Sequence, residues 1–153
     1  MLSWLLLSAI IAKSVVGAKI QTNATCTVSA FFNNNSLGQS VCLIGAYLNS
    51  VCEGTHLEEG LLPGRFYEPQ ASCMCNTVSY NVWSACAYCQ NGPWLSWPDW
   101  SSQCSNRGIA PQEGFPYALP FGFATPHWAY YNYSGNVNDT RWNTSIPHAL
   151  GGT

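Results

Sequence analysis

The residues with the most chemistry in them are four cysteines in a tight group, Cys73-Met-Cys75 and Cys86-Ala-Tyr-Cys89. Thiolates at this spacing could hold a zinc ion tetrahedrally. The first pair is one residue tighter than the usual knuckle, and zinc thiolates are uncommon in oxidising compartments. Cys86-x-x-Cys89 alone has the spacing of a redox dithiol. That chemistry needs its first thiol at a helix N-terminus, where the dipole lowers the pKa. Cys86 falls late in a predicted helix, where the partial charge is negative and disfavours a thiolate. Disulfide formation is the third chemistry, and the rest of the set favours it. Cys26, Cys42, Cys52 and Cys104 bring the total to eight, an even number that reads as a bridged framework. Cys73 and Cys75 are too close to pair with each other. Each is expected to staple the start of the second helix to a different element. Cys52 and Cys89 lie on apolar stripes and are expected to face the core. No metal and no cofactor is expected.

Acid–base and nucleophilic catalysis find little support. Glu58 and Glu59 are adjacent, so in an extended segment they point to opposite sides, unlike a carboxyl pair facing one bond. His56-Leu-Glu58-Glu59 lacks the second histidine of a zincin helix. No G-x-S-x-G elbow is present, and Asp99, Asp139, His56, His127 and His148 show no local arrangement of a triad. The expectation is a protein without catalytic residues.

Trp94, Trp97 and Trp100 stand three residues apart, with Trp83, Trp128 and Trp142 elsewhere. A row of exposed indoles would stack on sugar rings, whose C–H faces are apolar. The competing reading is that these large side chains fill the core of a small domain that is short of burial. Trp94, Trp97 and Trp100 are the candidate stacking residues, and core filling is the stronger reading.

The compartment is legible at the N-terminus. Trp4 to Ala12 form an apolar run of nine residues, too short for about 30 Å of hydrocarbon, which takes roughly 20. Val16-Gly17-Ala18 then matches a signal-peptidase site. The expected organisation is a signal peptide over 1–18, a cysteine-rich extracellular domain over 19–145, and the start of a C-terminal linker or tail over 146–153. Five sequons agree with passage through the secretory pathway, with acceptors Asn23, Asn34, Asn132, Asn138 and Asn143.

Two helices are expected to position these residues. Val41, Ile44, Gly45, Leu48, Val51 and Cys52 share a stripe at helical period, with Ser40 as N-cap and Gly54 past the end, so residues 40–52 read as a helix. Val78, Val82, Ala85 and Cys89 share a face over residues 77–90, capped by Asn76 and stopped by Asn91-Gly92-Pro93. Glu53 to Ser72, with the turn signal Leu62-Pro63-Gly64, read as a surface loop. From Gly108 the chain carries Pro111, Pro116, Pro120, Pro126 and Pro147 among many aromatics. It is expected to be extended and pinned by packing rather than by a strand ladder. The fold class is a small disulfide-rich domain with two α-helices, long irregular loops and an extended Pro/aromatic C-terminal segment.

Charge narrows the partners. Lys and Arg number five and Asp and Glu seven, so 8% of the chain is charged, against roughly 25% in an average domain. Thirteen Asn, sixteen Ser and nine Thr take the place of the missing charges. Five basic residues cannot form a nucleic-acid footprint, and an apolar share of 47% argues against disorder. Neutral polar residues and glycans are expected to carry the solubility that mixed surface charge usually supplies.

Several segments together resemble one family. They are Asn35 to Leu48 (NSLGQSVCLIGAYL), Cys73-x-Cys75-Asn-Thr-Val-x-Tyr80, Ser84 to Gln90 (SACAYCQ), Trp94-x-x-Trp97, and Pro126 to Tyr130 (PHWAY). Over about residues 23 to 145 the pattern is similar to cysteine-rich ectodomains of mushroom-forming fungi (basidiomycetes). In that group a signal peptide, the ectodomain, a Ser/Thr/Gly-rich spacer and one membrane-spanning helix follow in order. The resemblance implies a fungal cell-surface or secreted protein and transfers no activity or catalytic residues. A spacer and membrane helix would follow Thr153 if the chain is the outer part of a longer protein. The functional expectation is a secreted or cell-surface glycoprotein domain that binds a cell-wall glycan or a surface protein. The alternatives are a structural ectodomain without a specific ligand and, third, a small secreted hydrolase.

Overall fold

The computed structural model describes residues 19–54, 57–133 and 140–152. The signal-peptide segment, His56, Asn138 and Asp139 lie outside them. Four α-helices occur among the described residues: α1 (Val41–Glu53), α2 (Thr77–Cys89), α3 (Trp97–Asn106) and α4 (Ser145–Leu150). Two short strands, β1 (Gln21–Thr22) and β2 (Leu57–Glu58), pair in parallel with Gln21 opposite Leu57 and Thr22 opposite Glu58. None of these helices is long and apolar enough to cross a membrane.

The two expected helices form with the expected caps. The Ser40 hydroxyl accepts from the Leu43 N–H at 3.1 Å, and the Asn76 side chain accepts from the Ser79 N–H at 2.9 Å. Each satisfies one of the donors that a helix start leaves unpaired. Asn91 stops α2 in the left-handed region, with φ at 58°, a conformation that Asn tolerates better than most residues.

Helix α2 is the axis of the molecule. Twelve of its thirteen residues are buried, which explains why its apolar stripe is less distinct than that of a surface helix. Polar residues on such a helix must find partners, and here they hold the irregular segments that wrap it. Asn76 donates to the Cys73 carbonyl at 2.7 Å, and Ser79 donates to the same oxygen at 2.7 Å. Asn81 donates to the carbonyls of Ala129 and Tyr131, both at 2.9 Å, and accepts from the Tyr133 hydroxyl at 2.6 Å. Helix α1 packs on α2 through Gly45, which lies against the indole of Trp83.

All eight cysteines pair, as Cys26–Cys89, Cys42–Cys86, Cys52–Cys73 and Cys75–Cys104. Cys73 and Cys75 thus staple the start of α2 to two different elements, the end of α1 and α3. Cys26–Cys89 and Cys42–Cys86 fasten the end of α2 to the N-terminal segment and to α1. The first closes a separation of 63 residues, for which the chain-entropy argument gives about 4 kcal/mol. Cys89 is fully buried as expected, whereas Cys52 is exposed. Cys52 sits in the last turn of α1, where the helix rises out of the core.

The two-helix expectation falls short after residue 96. Ser96 caps α3 by accepting from the Asp99 N–H at 3.2 Å, and Pro98 occupies its first turn. The proline-rich segment beyond is held largely by packing, but Gln112 also pairs with Asn76 as a parallel bridge, with backbone bonds to Cys75 and Thr77, and the segment contains a 3₁₀ turn over His127–Tyr130. Residues 146–150, expected to begin a linker, belong to α4, with Ile146 and Pro147 buried. The loop expected over residues 53–72 contains β2, because the N-terminal segment offers it an edge. Phe32, Trp128 and Trp142 meet on one side of α2, and Tyr80, Trp100 and Tyr133 on another, mostly edge to face, an arrangement that aromatic quadrupoles favour.

Candidate interaction surface

The cysteine pairings decide the first chemistry considered. Cys73, Cys75, Cys86 and Cys89 each join a different bridge, so neither the four-thiolate group nor the Cys86/Cys89 dithiol is assembled. The sulfurs of Cys26, Cys42 and Cys89 lie within 4.8 Å of one another because two disulfides pack side by side. Oxidised sulfur is a poor metal ligand, since the thiolate is the ligating form.

Some of the carboxylates and histidines make structural contacts. Glu58 accepts from the Asn49 side chain, and Asp99 accepts from the Ser96 hydroxyl at 2.6 Å. His148 packs on Phe31 with ring centroids 4.5 Å apart, and His127 is exposed. Tyr67 has a displaced titration. Burial pushes its phenol above the usual tyrosine range, while the Gln90 amide donating to its oxygen at 2.8 Å pulls the other way and Glu58 adds to the rise.

The three indoles of the Trp94–Trp100 segment do not form one exposed row. Trp100 is 1% exposed and donates to the Met74 carbonyl at 2.9 Å. Trp94 is half-buried against Trp142, donates to its carbonyl at 2.9 Å, and carries the Arg141 guanidinium over its ring at 5.4 Å. Trp97 is half-buried beside Tyr80 and Tyr133. Of the three only Trp100 is buried, so any stacking surface is confined to the partly exposed edges of Trp94, which precedes α3, and Trp97, at its start.

A different apolar feature faces solvent. Leu37 is 60% exposed at the tip of a turn whose ends, Asn34 and Ser40, pair as an antiparallel bridge. Asn35 builds that turn from inside, accepting from the N–H groups of Leu37 and Gln39 at 3.0 and 2.9 Å. The Asn35 amide also donates to the Ala124 carbonyl at 2.8 Å, and Gln39 donates to the Gly122 carbonyl at 2.8 Å. These bonds tie the first turn to a second, where Phe121 is fully exposed and Leu119 is 47% exposed. Phe123 anchors the second turn by stacking on Tyr47, with centroids 5.2 Å apart and planes 5° from parallel. The surface is free of charge nearby in sequence: no Asp, Glu, Lys or Arg occurs between Lys19 and Glu53 or between Glu113 and Asp139. Sequence reasoning missed this pair of turns, because its ties run between segments more than 80 residues apart.

Four of the five sequon asparagines, Asn23, Asn34, Asn132 and Asn143, are described, and all four are exposed. Asn23 accepts from the Gly60 N–H at 2.7 Å, and Asn143 accepts from the Ser145 N–H at 2.9 Å.

Comparison with known proteins returns no matching family model, no matching curated protein and no matching solved structure.

Proposed function

We propose that this chain is a secreted or cell-surface glycoprotein domain that acts as an interaction module, meeting a neutral partner through the paired turns of Leu37 and Phe121. A framework of four disulfides is the equipment of an oxidising, extracellular setting. The observation that carries the reading is the set of side-chain bonds and the ring stack that tie the two turns together. Asn35, Gln39 and Phe123 hold an apolar projection in water, an arrangement that contributes nothing to the core and lowers the ordering cost of binding. The absence of nearby charge suits an uncharged partner. On the resemblance to fungal ectodomains, a neutral wall polysaccharide is the first partner to test, with a surface protein second.

The test is binding of the oxidised domain to an array of neutral wall polysaccharides, with the double variant Leu37→Ser/Phe121→Ser beside it. Both side chains are exposed, so near-UV circular dichroism and thermal midpoint should match the parent. Binding that falls at least about tenfold, the equivalent of 1.4 kcal/mol, supports the reading. Equal binding by both proteins moves the site elsewhere. No binding to any polysaccharide or co-expressed surface protein supports a structural ectodomain, the reading favoured by the inward-facing indoles.

A further inference from the structure

Three consecutive asparagines, Asn33, Asn34 and Asn35, have different fates in the fold. The Asn33 amide donates to the Val28 carbonyl at 2.7 Å. Asn35 is 8% exposed and uses both its side-chain oxygen and its side-chain nitrogen inside the turn. Asn34 is exposed, and its side chain takes no part in the bonds that build the turn. It is also the sequon acceptor of the three, with Ser36 two residues on.

Asn34 opens onto a groove of about 460 Å³ between the N-terminal segment and the start of α1. That volume lies within the roughly 300–1,000 Å³ of small-ligand clefts. Ile20, Ala24 and Leu43 give the groove apolar walls, while Gln21, Thr22 and Ser40 give it polar ones. Ser40 faces Asn34 across the bridge. Its hydroxyl oxygen is occupied by the Leu43 N–H, which leaves the hydroxyl proton to donate outward. An N-acetylhexosamine has the matching character, with C–H faces and an acetyl methyl beside several hydroxyl acceptors.

We propose that Asn34 carries an N-linked glycan whose first sugar units lie in this groove. The inference rests on the secretory reading above and deepens it. The folded chain leaves one asparagine of the triplet free for modification and places a cleft of mixed polarity beside it. The seated sugars would join the N-terminal segment to α1, adding a tie that the short β1–β2 pair does not supply.

Glycopeptide mapping of the secreted protein, followed by timed digestion of the native fold with peptide:N-glycosidase, tests this. Asn143, exposed on the far part of the chain, is the internal reference. The expected result is occupancy at Asn34 with release at least about fivefold slower than at Asn143, the effect of roughly one net hydrogen bond on the seated population. The slow release should disappear on denaturation. The variant Asn34→Gln should also exchange the amide hydrogens of residues 20–24 faster than the glycosylated parent. A glycan at Asn143 but none at Asn34, or equal release from both, overturns the groove and leaves the secretory reading intact. Absence of glycan at every sequon overturns both.

Discussion

The sulfurs of Cys42 and Cys89 lie 3.7 Å apart although they belong to different bridges. Cys86 and Cys89 are three residues apart on α2, so their partners, Cys42 on α1 and Cys26 on the N-terminal segment, are brought together at one end of that helix. The bridge Cys26–Cys89 is therefore within reach of a third sulfur.

This juxtaposition predicts the behaviour of Cys86→Ser. The substitution leaves Cys42 as a free thiol beside Cys89. Its thiolate attacks the Cys89 sulfur, a Cys42–Cys89 bond forms, and Cys26 departs as the thiolate. Alkylation and peptide mapping should find label on Cys26 as well as on Cys42, in proportions that shift toward equilibrium above neutral pH. Label confined to Cys42 after prolonged incubation would show that the fold blocks the exchange.

Asn81 should be the most costly polar substitution on α2. Its side chain is fully buried and serves Ala129, Tyr131 and Tyr133 at once. Asn81→Ala removes all three bonds at once, a loss of about 3 kcal/mol if each is worth about 1 kcal/mol. Tyr133→Phe, which removes one of the three bonds and leaves the Asn81 oxygen unmet, should cost about 1–2 kcal/mol. Urea unfolding measures both. Equal losses for the two variants would mean that the bonds to Ala129 and Tyr131 contribute nothing.

The contrast between α2 and the tail shows which parts of the fold could be read from sequence. Local signals sufficed for α1 and α2, because Ser40, Asn76 and Asn91 act within a few residues of themselves. The signals for α3 were equally local, with Ser96 as cap, Pro98 in the first turn and Gly108 beyond the end. Few apolar residues accompany them, and the spacing of Trp97 and Trp100 reads equally well as a surface row. The projection of Leu37 and Phe121 was not legible. It depends on Asn35 and Gln39 reaching a segment more than 80 residues away, and no local pattern encodes that meeting. The cysteine pairings lie between these extremes: proximity ruled out Cys73 with Cys75, while the other choices follow from how the helices pack.

Gly45 marks the closest approach of α1 to α2. A Cβ built there would fall 2.9 Å from Cζ2 of Trp83, inside the contact that real side chains tolerate. Gly45→Ala gains about 1 kcal/mol of helix propensity and incurs roughly 1–3 kcal/mol of overpacking, so the net effect should be a loss. The Trp83 indole nitrogen has no hydrogen-bond partner, which lets a smaller ring replace it without stranding an acceptor. Trp83→Phe should therefore rescue Gly45→Ala in a double-mutant cycle, with a coupling of about 1 kcal/mol or more. Strict additivity would place the contact elsewhere.

Tyr67 should make the fold sensitive to alkali. Burial raises its pKa in the folded chain, against the lowering effect of the Gln90 amide and together with the charge of Glu58. In the unfolded chain the phenol ionises near pH 10, roughly the unperturbed value. Between that pH and the higher folded-state pKa, the folded chain binds more protons than the unfolded one, so stability falls as pH rises. The contribution is complete below about pH 10 and is lost through the folded-state pKa. Tyr67→Phe removes the hydroxyl that donates to the Glu59 carbonyl at 3.1 Å and accepts from Gln90, at a cost of about 1 kcal/mol at neutral pH. Above pH 10 its urea midpoint should decline less steeply than the parent's, since seven other tyrosines are common to both proteins. Parallel declines would show that the Tyr67 phenol ionises as readily in the fold as in the unfolded chain.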